Sequence, residues 1–418
     1  MQAKRYYGYL QPRGFKARCN KMIPITVMVT GEGTVSSKIK GHYNKDNPST
    51  FTNELKPAVF WNITYKCNLN CVHCYIDASS KINREELSKE KLIEVANEIV
   101  KLELPLIVFT GGEPLYRKEF WDVSEVLANR KKPKLTLSTN GTLITEENAK
   151  KLKELGYMYI GISLDSIYPQ NHDKFRGYDG AFSLTMKGIE NSIKYGIDVG
   201  IRTTITKYNV NEIPAMIDFV VKKGIRRISL YLLDTIGRAV KISSDLPTKD
   251  QLISLTNILI EKAKEYKSKI EIEIVRGNFI GIYVADKISS NKEDFLKYLK
   301  MIQAQGDCGR KTISIYPDGT VRPCQFIDDY IIGDLRKQKL EEILQIANPN
   351  LEKFINLSEN LEGERCSKCA FKKICGGGSR GRAKVINNNF WGDEPLCFID
   401  YNDIAKRWGI IDSHSFIH

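Results

Sequence analysis

The chain has 418 residues, 42% of them hydrophobic, enough to bury a large core and to form two or three domains. No apolar run reaches the roughly 20 residues that a membrane-spanning helix needs. The start, Met1-Gln2-Ala3-Lys4-Arg5-Tyr6-Tyr7, is charged with no apolar run after it and does not read as a secretory leader, so a cytoplasmic protein is expected. The net charge of +13 describes a Lys-rich surface that suits an anionic partner or substrate, but no nucleic-acid recognition motif accompanies it. In a cytoplasmic chain, ten cysteines point to metal or redox chemistry and away from a disulfide framework.

Residues 1–55 read as an N-terminal extension. Ile25 to Thr30 is expected as a short strand with Pro24 at its entry, and Gly31 to Asn53 as loop. Cys19 stands alone, as a partly buried thiol with cluster ligation left open. From Pro57 a beat sets in. Strands are expected at 58–64, 105–110, 134–139, 157–163, 197–205 and 226–232, and helices at 88–102, 118–130, 145–155, 181–195, 211–223 and 249–268. Leu87, Leu92, Val95, Ile99 and Leu102 show the helical period, and Gly156, Gly196 and Gly224 stop three helices just before the next strand. Six βα units imply parallel strands with right-handed crossovers. They fit an α/β fold, a partial (β/α)6 TIM-like barrel over residues 56–270.

The first strand runs into Trp61-Asn-Ile-Thr-Tyr-Lys-Cys67-Asn-Leu-Asn-Cys71-Val-His73-Cys74-Tyr75, with three cysteines spaced C-x3-C-x2-C. Thiolates bind iron in clusters, normally four per cube, so three leave one iron open to a substrate-like molecule. A zinc knuckle needs a fourth ligand, and His73, the local candidate, is awkwardly placed between two of the cysteines. The spacing and its flanks resemble the radical S-adenosylmethionine (radical SAM) superfamily, in which the amino-acid end of SAM chelates the open iron of a 4Fe-4S cluster.

In parallel α/β folds, active residues gather at the carboxyl ends of strands. Gly111-Gly112-Glu113-Pro114 follows the second strand, Ser138-Thr139-Asn140-Gly141-Thr142 the third, and Ser163-Leu164-Asp165 the fourth. By the resemblance, the first motif receives the SAM amino group with Glu113 facing the open iron. The other two hold the ribose and methionyl groups. Arg202, a charge within the apolar fifth strand, and Arg176, in His172-Asp173-Lys174-Phe175-Arg176-Gly177, are rivals for gripping a carboxylate, and each also reads as a structural ion pair.

Residues 271–305 read as a bridge with a helix and little chemistry, 306–405 as a cysteine-rich domain and 406–418 as a tail. Cys308 and Cys324 bracket a hairpin with its turn at Asp318-Gly319. Cys366-x2-Cys369-x5-Cys375 and Cys397 follow. This resembles the SPASM auxiliary-cluster domain, which in full carries seven cysteines and two further 4Fe-4S clusters. Here Ser379 stands where the family places a cysteine of the first auxiliary cluster. The resemblance therefore implies one auxiliary cluster on Cys366, Cys369, Cys375 and Cys397, with structural zinc as the alternative for four thiolates. Cys308 and Cys324 are left two ligands short, as a partial site or none.

Several strings resemble the subfamily that modifies tetrapyrrole side chains in d1-type heme and siroheme-dependent heme synthesis. They include Val59-Phe60-Trp61-Asn62, Gly180-Ala181-Phe182, Gly237-Arg238, Val321 to Phe326 and Gly376 to Ala383. That likeness implies a radical SAM enzyme that cleaves SAM to a 5′-deoxyadenosyl radical and abstracts hydrogen from a tetrapyrrole side chain. A low-potential ferredoxin- or flavodoxin-like protein would supply the electron. Peptide-modifying and metal-cofactor-maturing enzymes share the architecture. A non-enzymatic electron carrier would need no SAM pocket.

Overall fold

Short apolar runs, buried on both faces, set the sheet. The computed structural model describes residues 22–33, 56–128, 130–302, 308–309, 311–327, 330–344 and 348–410. Among them, one sheet holds β1 Met22–Pro24, β2 Ala58–Asn62, β3 Leu106–Thr110, β4 Lys134–Thr139, β5 Tyr157–Ser163, β6 Asp198–Ile205, β7 Arg227–Leu232, β8 Glu271–Val275, β9 Thr312–Ile315, β10 Thr320–Arg322 and β11 Gly333–Asp334. Their order is β1-β8-β7-β6-β5-β4-β3-β2-β9-β10-β11, with β2 to β8 parallel. This is the open, parallel α/β sheet expected of a partial barrel. Helices Lys89–Lys101, Glu119–Leu127, Glu146–Glu154, Ala181–Lys194, Ile213–Lys222 and Lys249–Glu265 make the crossovers. The first is typical: Ser88 caps it by accepting from the Lys91 N–H, and Leu92, Val95, Ala96 and Ile99 bury one stripe.

Three expectations change. Ile25–Thr30 is an α-helix, and the strand beside it is β1, antiparallel to β8. Its β-branched residues favour extended backbone locally. Burial of Ile25, Thr26, Val27 and Met28 against β8 and its neighbours overrides that preference, and Thr26 Oγ1 accepts the Ile272 N–H. Residues 271–305 are more than a bridge. They carry β8, a seventh parallel strand, and helices Asn278–Ile288 and Lys292–Ile302. An unforeseen helix, Pro169–Arg176, sits between β5 and β6. The β9–β10 hairpin forms with Gly319 at φ 85° in its turn, and β9 adds to β2 in parallel, so the cysteine-rich region extends the barrel's own sheet. Cys19 and residues 34–53 lie outside the described residues.

Outward strand residues, among them Val59, Trp61, Ile107, Phe109, Leu137, Ile160, Ile201, Leu230 and Ile274, form the main core with the helices. Inward residues are polar toward the carboxyl ends: Asn62, Thr110, Ser138, Ser163, Arg202 and Thr204. Deeper in the barrel, Arg227 pairs bidentately with Glu273 (Nε–Oε2 2.9 Å, Nη2–Oε1 2.8 Å) over the Tyr159 ring. This pair, nearly excluded from solvent, floors the barrel.

The C-terminal segment is pinned to the strand ends by a second buried pair. Arg382 and Glu394, 0% and 1% exposed, meet at 2.9 Å. Arg382 also donates to the Leu233 carbonyl beyond β7 and to the Arg276 carbonyl beyond β8. Among the described residues, no helix is long and apolar enough to cross a membrane.

Replacing Arg227 with Leu removes the cation that balances buried Glu273. The expected cost is about 3–5 kcal/mol, read from the midpoint of chemical denaturation. An unchanged midpoint would remove the pair from the fold's supports.

Candidate active site

The loop after β2 carries Cys67, Cys71 and Cys74 with almost no regular structure, so its buried peptide groups need partners from elsewhere. Three elements supply them. Beyond β3, the N–H groups of Gly112 and Glu113 donate to the carbonyls of Thr64 and Lys66 at 2.7 and 2.9 Å. Beyond β7, the Arg238 N–H donates to the Cys74 carbonyl, while its Nε and Nη2 donate to the carbonyls of Cys71 and Ala78 at 2.7 and 2.8 Å. Arg238 Nη1 also pairs with Asp77 at 2.8 Å. The end of helix Pro169–Arg176 accepts from the N–H groups of Asn70 and Val72. Glycine is required where these elements touch: a Cβ on Gly112 would collide with the Lys66 carbonyl, and one on Gly237 with those of Cys74 and Tyr75.

The three thiols open on a cavity at the strand ends. Of the residues singled out in the sequence, Gly111, Gly112, Ser138, Asn140, Ser163, Arg176 and Arg202 also line it. Glu113, Pro114 and Asp165 do not. Each sulfur has an N–H donor. Leu69 N–H and Asn140 Nδ2 approach Cys67 Sγ at 3.4 and 3.8 Å, Arg176 Nη1 approaches Cys71 Sγ at 3.7 Å, and Ala78 N–H approaches Cys74 Sγ at 3.2 Å. Burial pushes the Cys67 and Cys71 thiols up, and the Leu69 N–H and the Arg176 cation respectively pull them back. Coordination to a metal deprotonates such thiols outright. Donors to sulfur also tune a cluster's potential.

Glu113 corrects the expectation that it faces the open iron. Its carboxylate is fully buried and accepts from Thr139 Oγ1 at 2.8 and 2.9 Å, from the Asn140 N–H at 2.9 Å and from the Leu115 N–H at 3.2 Å. Burial raises it to about 7, against the pull of those donors. Its work is to tie the β3 and β4 turns together behind the cavity. Asp165 is similarly withdrawn: it pairs with Arg176 at 2.5 Å and accepts from the Thr204 N–H at 2.8 Å. The two candidate arginines therefore separate. Arg176 is neutralised by Asp165. Arg202 has no carboxylate partner among the described residues; it donates to Ser138 Oγ while its buried Nε has no acceptor. Gly161 makes room for it, since a Cβ there would strike the guanidinium.

Sequence reasoning gave no site role to several residues that line the cavity, among them Tyr75, Tyr231, Phe326 and Arg238. Tyr75 hangs its hydroxyl between Asn62 Oδ1 at 2.5 Å and Thr110 Oγ1 at 3.2 Å. Phe326 packs between Tyr75 and Tyr231, with centroids at 5.4 and 6.4 Å. Arg238 was visible only as part of a string after the sixth strand; an arginine next to a strand-end glycine was the available signal.

Of the other cysteines, Cys366, Cys369, Cys375 and Cys397 share one neighbourhood. Burial pushes Cys375 up, and Cys397, Cys366 and Cys369 push it further. Burial likewise raises Cys369 to about 11 and Cys397 to about 12. The Cys366 N–H is fixed by Asp393 at 2.7 Å, and Arg365 Nη1 holds the Cys397 carbonyl at 3.1 Å. Among the described residues, no three Cys, His, Asp or Glu side chains close on one point as ligands of a single ion. Tetrahedral zinc asks for that arrangement; a cube sets each thiolate on its own iron.

Gly112→Ala and Arg238→Gln should each loosen the cysteine loop in the metal-free protein. Amide hydrogen exchange across residues 64–78 should rise about tenfold or more, the effect of losing roughly one to two hydrogen bonds. Unchanged protection would show that the loop holds itself.

Residues 61–220 match the model of the Radical SAM superfamily, and residues 307–370 match that of SPASM, an iron–sulfur cluster-binding domain. The chain is 33% identical to Fe-coproporphyrin III synthase of Methanosarcina barkeri over 92% of this chain and 99% of that one. It is 29% identical to pre-heme d1 synthase of Dinoroseobacter shibae over 85% of this chain and 90% of the relative. Its fold is similar to that of Streptococcus suis SuiB bound to the precursor peptide SuiA, with a TM-score of 0.66, 16% identity, and 82% and 76% of the two chains covered. With its cysteine loop at a barrel mouth and one relative matched along nearly its whole length, the chain belongs to the radical SAM superfamily, as an enzyme with a SPASM iron–sulfur domain.

Proposed function

We propose that Cys67, Cys71 and Cys74 hold the SAM-binding 4Fe-4S cluster and that the enzyme removes or alters a carboxylate-bearing side chain of a tetrapyrrole. The observation that carries the ligand assignment is the donor set: three thiols on one clamped loop, each met by an N–H, at the mouth of a parallel barrel. The cluster with SAM supplies reductive cleavage of the sulfonium and so a 5′-deoxyadenosyl radical. The chain's residues bind, orient and shield. Gly111 and Gly112 bring bare backbone to the cavity beside the loop, and Ser138, Asn140 and Ser163 offer hydroxyl and amide groups along one rim. Arg202 offers an unpaired guanidinium suited to a carboxylate, whether of SAM or of substrate. Cys366, Cys369, Cys375 and Cys397 hold an auxiliary cluster. A ferredoxin- or flavodoxin-like protein of the cytoplasm delivers the electron.

The substrate class is supported by the near full-length likeness to two tetrapyrrole-synthesis enzymes and by Tyr75, Tyr231 and Phe326, which line the cavity together with Arg202. Aromatic faces and cations together suit a flat polyanion. The likeness to SuiB is one of fold alone, and the bacteriocin- and mycofactocin-maturing relatives are less identical to the chain than the two synthases, so peptides serve as the comparison in the test.

Three outcomes are expected. Changing Cys67, Cys71 and Cys74 together to Ala abolishes 5′-deoxyadenosine formation and leaves the auxiliary iron in place; continued SAM cleavage would sink the assignment. Anaerobic incubation with SAM and reductant, followed by mass spectrometry, should show mass loss from a carboxylated iron or metal-free porphyrin and none from peptides. In the same assay, Arg202→Gln should raise the KM for SAM or porphyrin by about tenfold or more, the worth of a charged hydrogen bond. Modification of a peptide with the porphyrins untouched would replace this substrate reading.

A further inference from the structure

Cys308 and Cys324 pack with Ile327, Phe354 and Leu357, in a different apolar cluster from Cys369, Cys375 and Cys397. Arg276, just past β8, links these two to Ser379. Its Nη1 stands 4.0 Å from Cys308 Sγ and 3.9 Å from Cys324 Sγ, nearly equidistant from the two sulfurs. Nη2 donates to Ser379 Oγ at 3.2 Å, and Nε pairs with Asp234 Oδ2 at 3.0 Å. The Ser379 hydroxyl lies against both Asp234 oxygens at 2.7 and 2.8 Å, committing its proton there. One face of the guanidinium covers Phe326, 5.1 Å from its centroid. Asp234 and Phe326 both line the catalytic cavity.

We propose that Arg276 stands in the place of the first auxiliary cluster, so that Cys308, Cys324 and Ser379 enclose an organic cation behind the iron-free cavity wall made by Asp234 and Phe326. A cube joining the two thiolates must lie roughly equidistant from both sulfurs, the ground that Nη1 holds. Ser379 is a poor replacement ligand, since its hydroxyl stays protonated and is already bonded to Asp234. The cation is not free to swing aside. Departure would strand the buried Asp234 carboxylate, and the backbone is anchored as well: Arg276 has φ 65°, a left-handed conformation costly for a non-glycine residue, and its carbonyl accepts from Arg382. Substrate at this end of the cavity therefore meets Asp234 and an arginine-backed Phe326, with no iron beside them. The inference concerns cluster number and is independent of the substrate reading.

Iron and sulfide counts after anaerobic reconstitution test it. The wild-type chain should take up about eight irons, two cubes of four, and Cys308→Ala, Cys324→Ala should keep about eight. Ser379→Cys alone should add none, because the guanidinium still fills the space. Ser379→Cys combined with Arg276→Gln should rise toward about twelve. A wild-type content near twelve that falls by about four in the Cys308→Ala, Cys324→Ala variant overturns the proposal. So does a gain of iron with Ser379→Cys alone, or no gain in a folded combined variant. Where a variant at position 276 fails to fold, the wild-type and double-cysteine counts decide.

Discussion

A loop without secondary structure must be held rigid at the mouth of the barrel, and the rest of the site follows from how this is done. The loop from Thr64 to Ala78 buries carbonyls that no ladder or helix satisfies, and an unpaired buried carbonyl costs free energy comparable to a lost hydrogen bond. Gly112 and Glu113 bind its first half, and Arg238 binds its second half through one backbone and two side-chain donors. These partners come from the ends of two strands well separated in the sheet. The loop is therefore positioned by the curvature of the barrel, not by its own sequence. That explains why glycine recurs at each contact: the strand ends approach so closely that a Cβ would displace the loop.

The same curvature divides the sheet chemically. Its outer face is continuous hydrocarbon against the helices, and its inner face is closed below by Arg227–Glu273 and polar above. Buried charges in such a place are tolerated only when paired. The pairing is selective. Arg176 has Asp165, Arg276 has Asp234 and Arg382 has Glu394, whereas Arg202 is left with a hydroxyl partner and an idle Nε. Arg202 lines the cavity, where an anion would be useful.

Arg382 and Glu394 carry the barrel's order into the cysteine-rich region. Glu394 also accepts the Ser379 N–H, and Arg382 reads the carbonyls beyond β7 and β8. One buried ion pair thereby fixes the Gly376–Ala383 segment against the ends of β7 and β8. Continuity of β9 with β2 fixes the other side. The two regions share a sheet as well as an interface, so the cavity wall contributed by Gln325 and Phe326 moves with the barrel.

Much of this was legible in the amino-acid order, because it rests on local signals. Apolar runs alternating with helical patterns placed β2 to β7 and the six crossover helices, and the C-x3-C-x2-C spacing with its flanks announced the chemistry of the loop. Short-range signals failed where distant burial outweighed them. Ile25–Thr30 became a helix because its apolar side packs on β8, and β8 itself was hidden because a strand read as bridge has meaning only beside β7. Charge partners were equally invisible. Nothing in the order of residues says that Glu113 turns inward to Thr139, that Asp165 neutralises Arg176 while Arg202 stays unpaired, or that Arg276 reaches two cysteines more than thirty positions away. The sequence alone determined the family, the alternation of elements and the cysteine ligands on offer. The tertiary structure decided which charges cancel and which remain, because electrostatic partners in a buried site are chosen by distance in space and by the cost of leaving a charge without one.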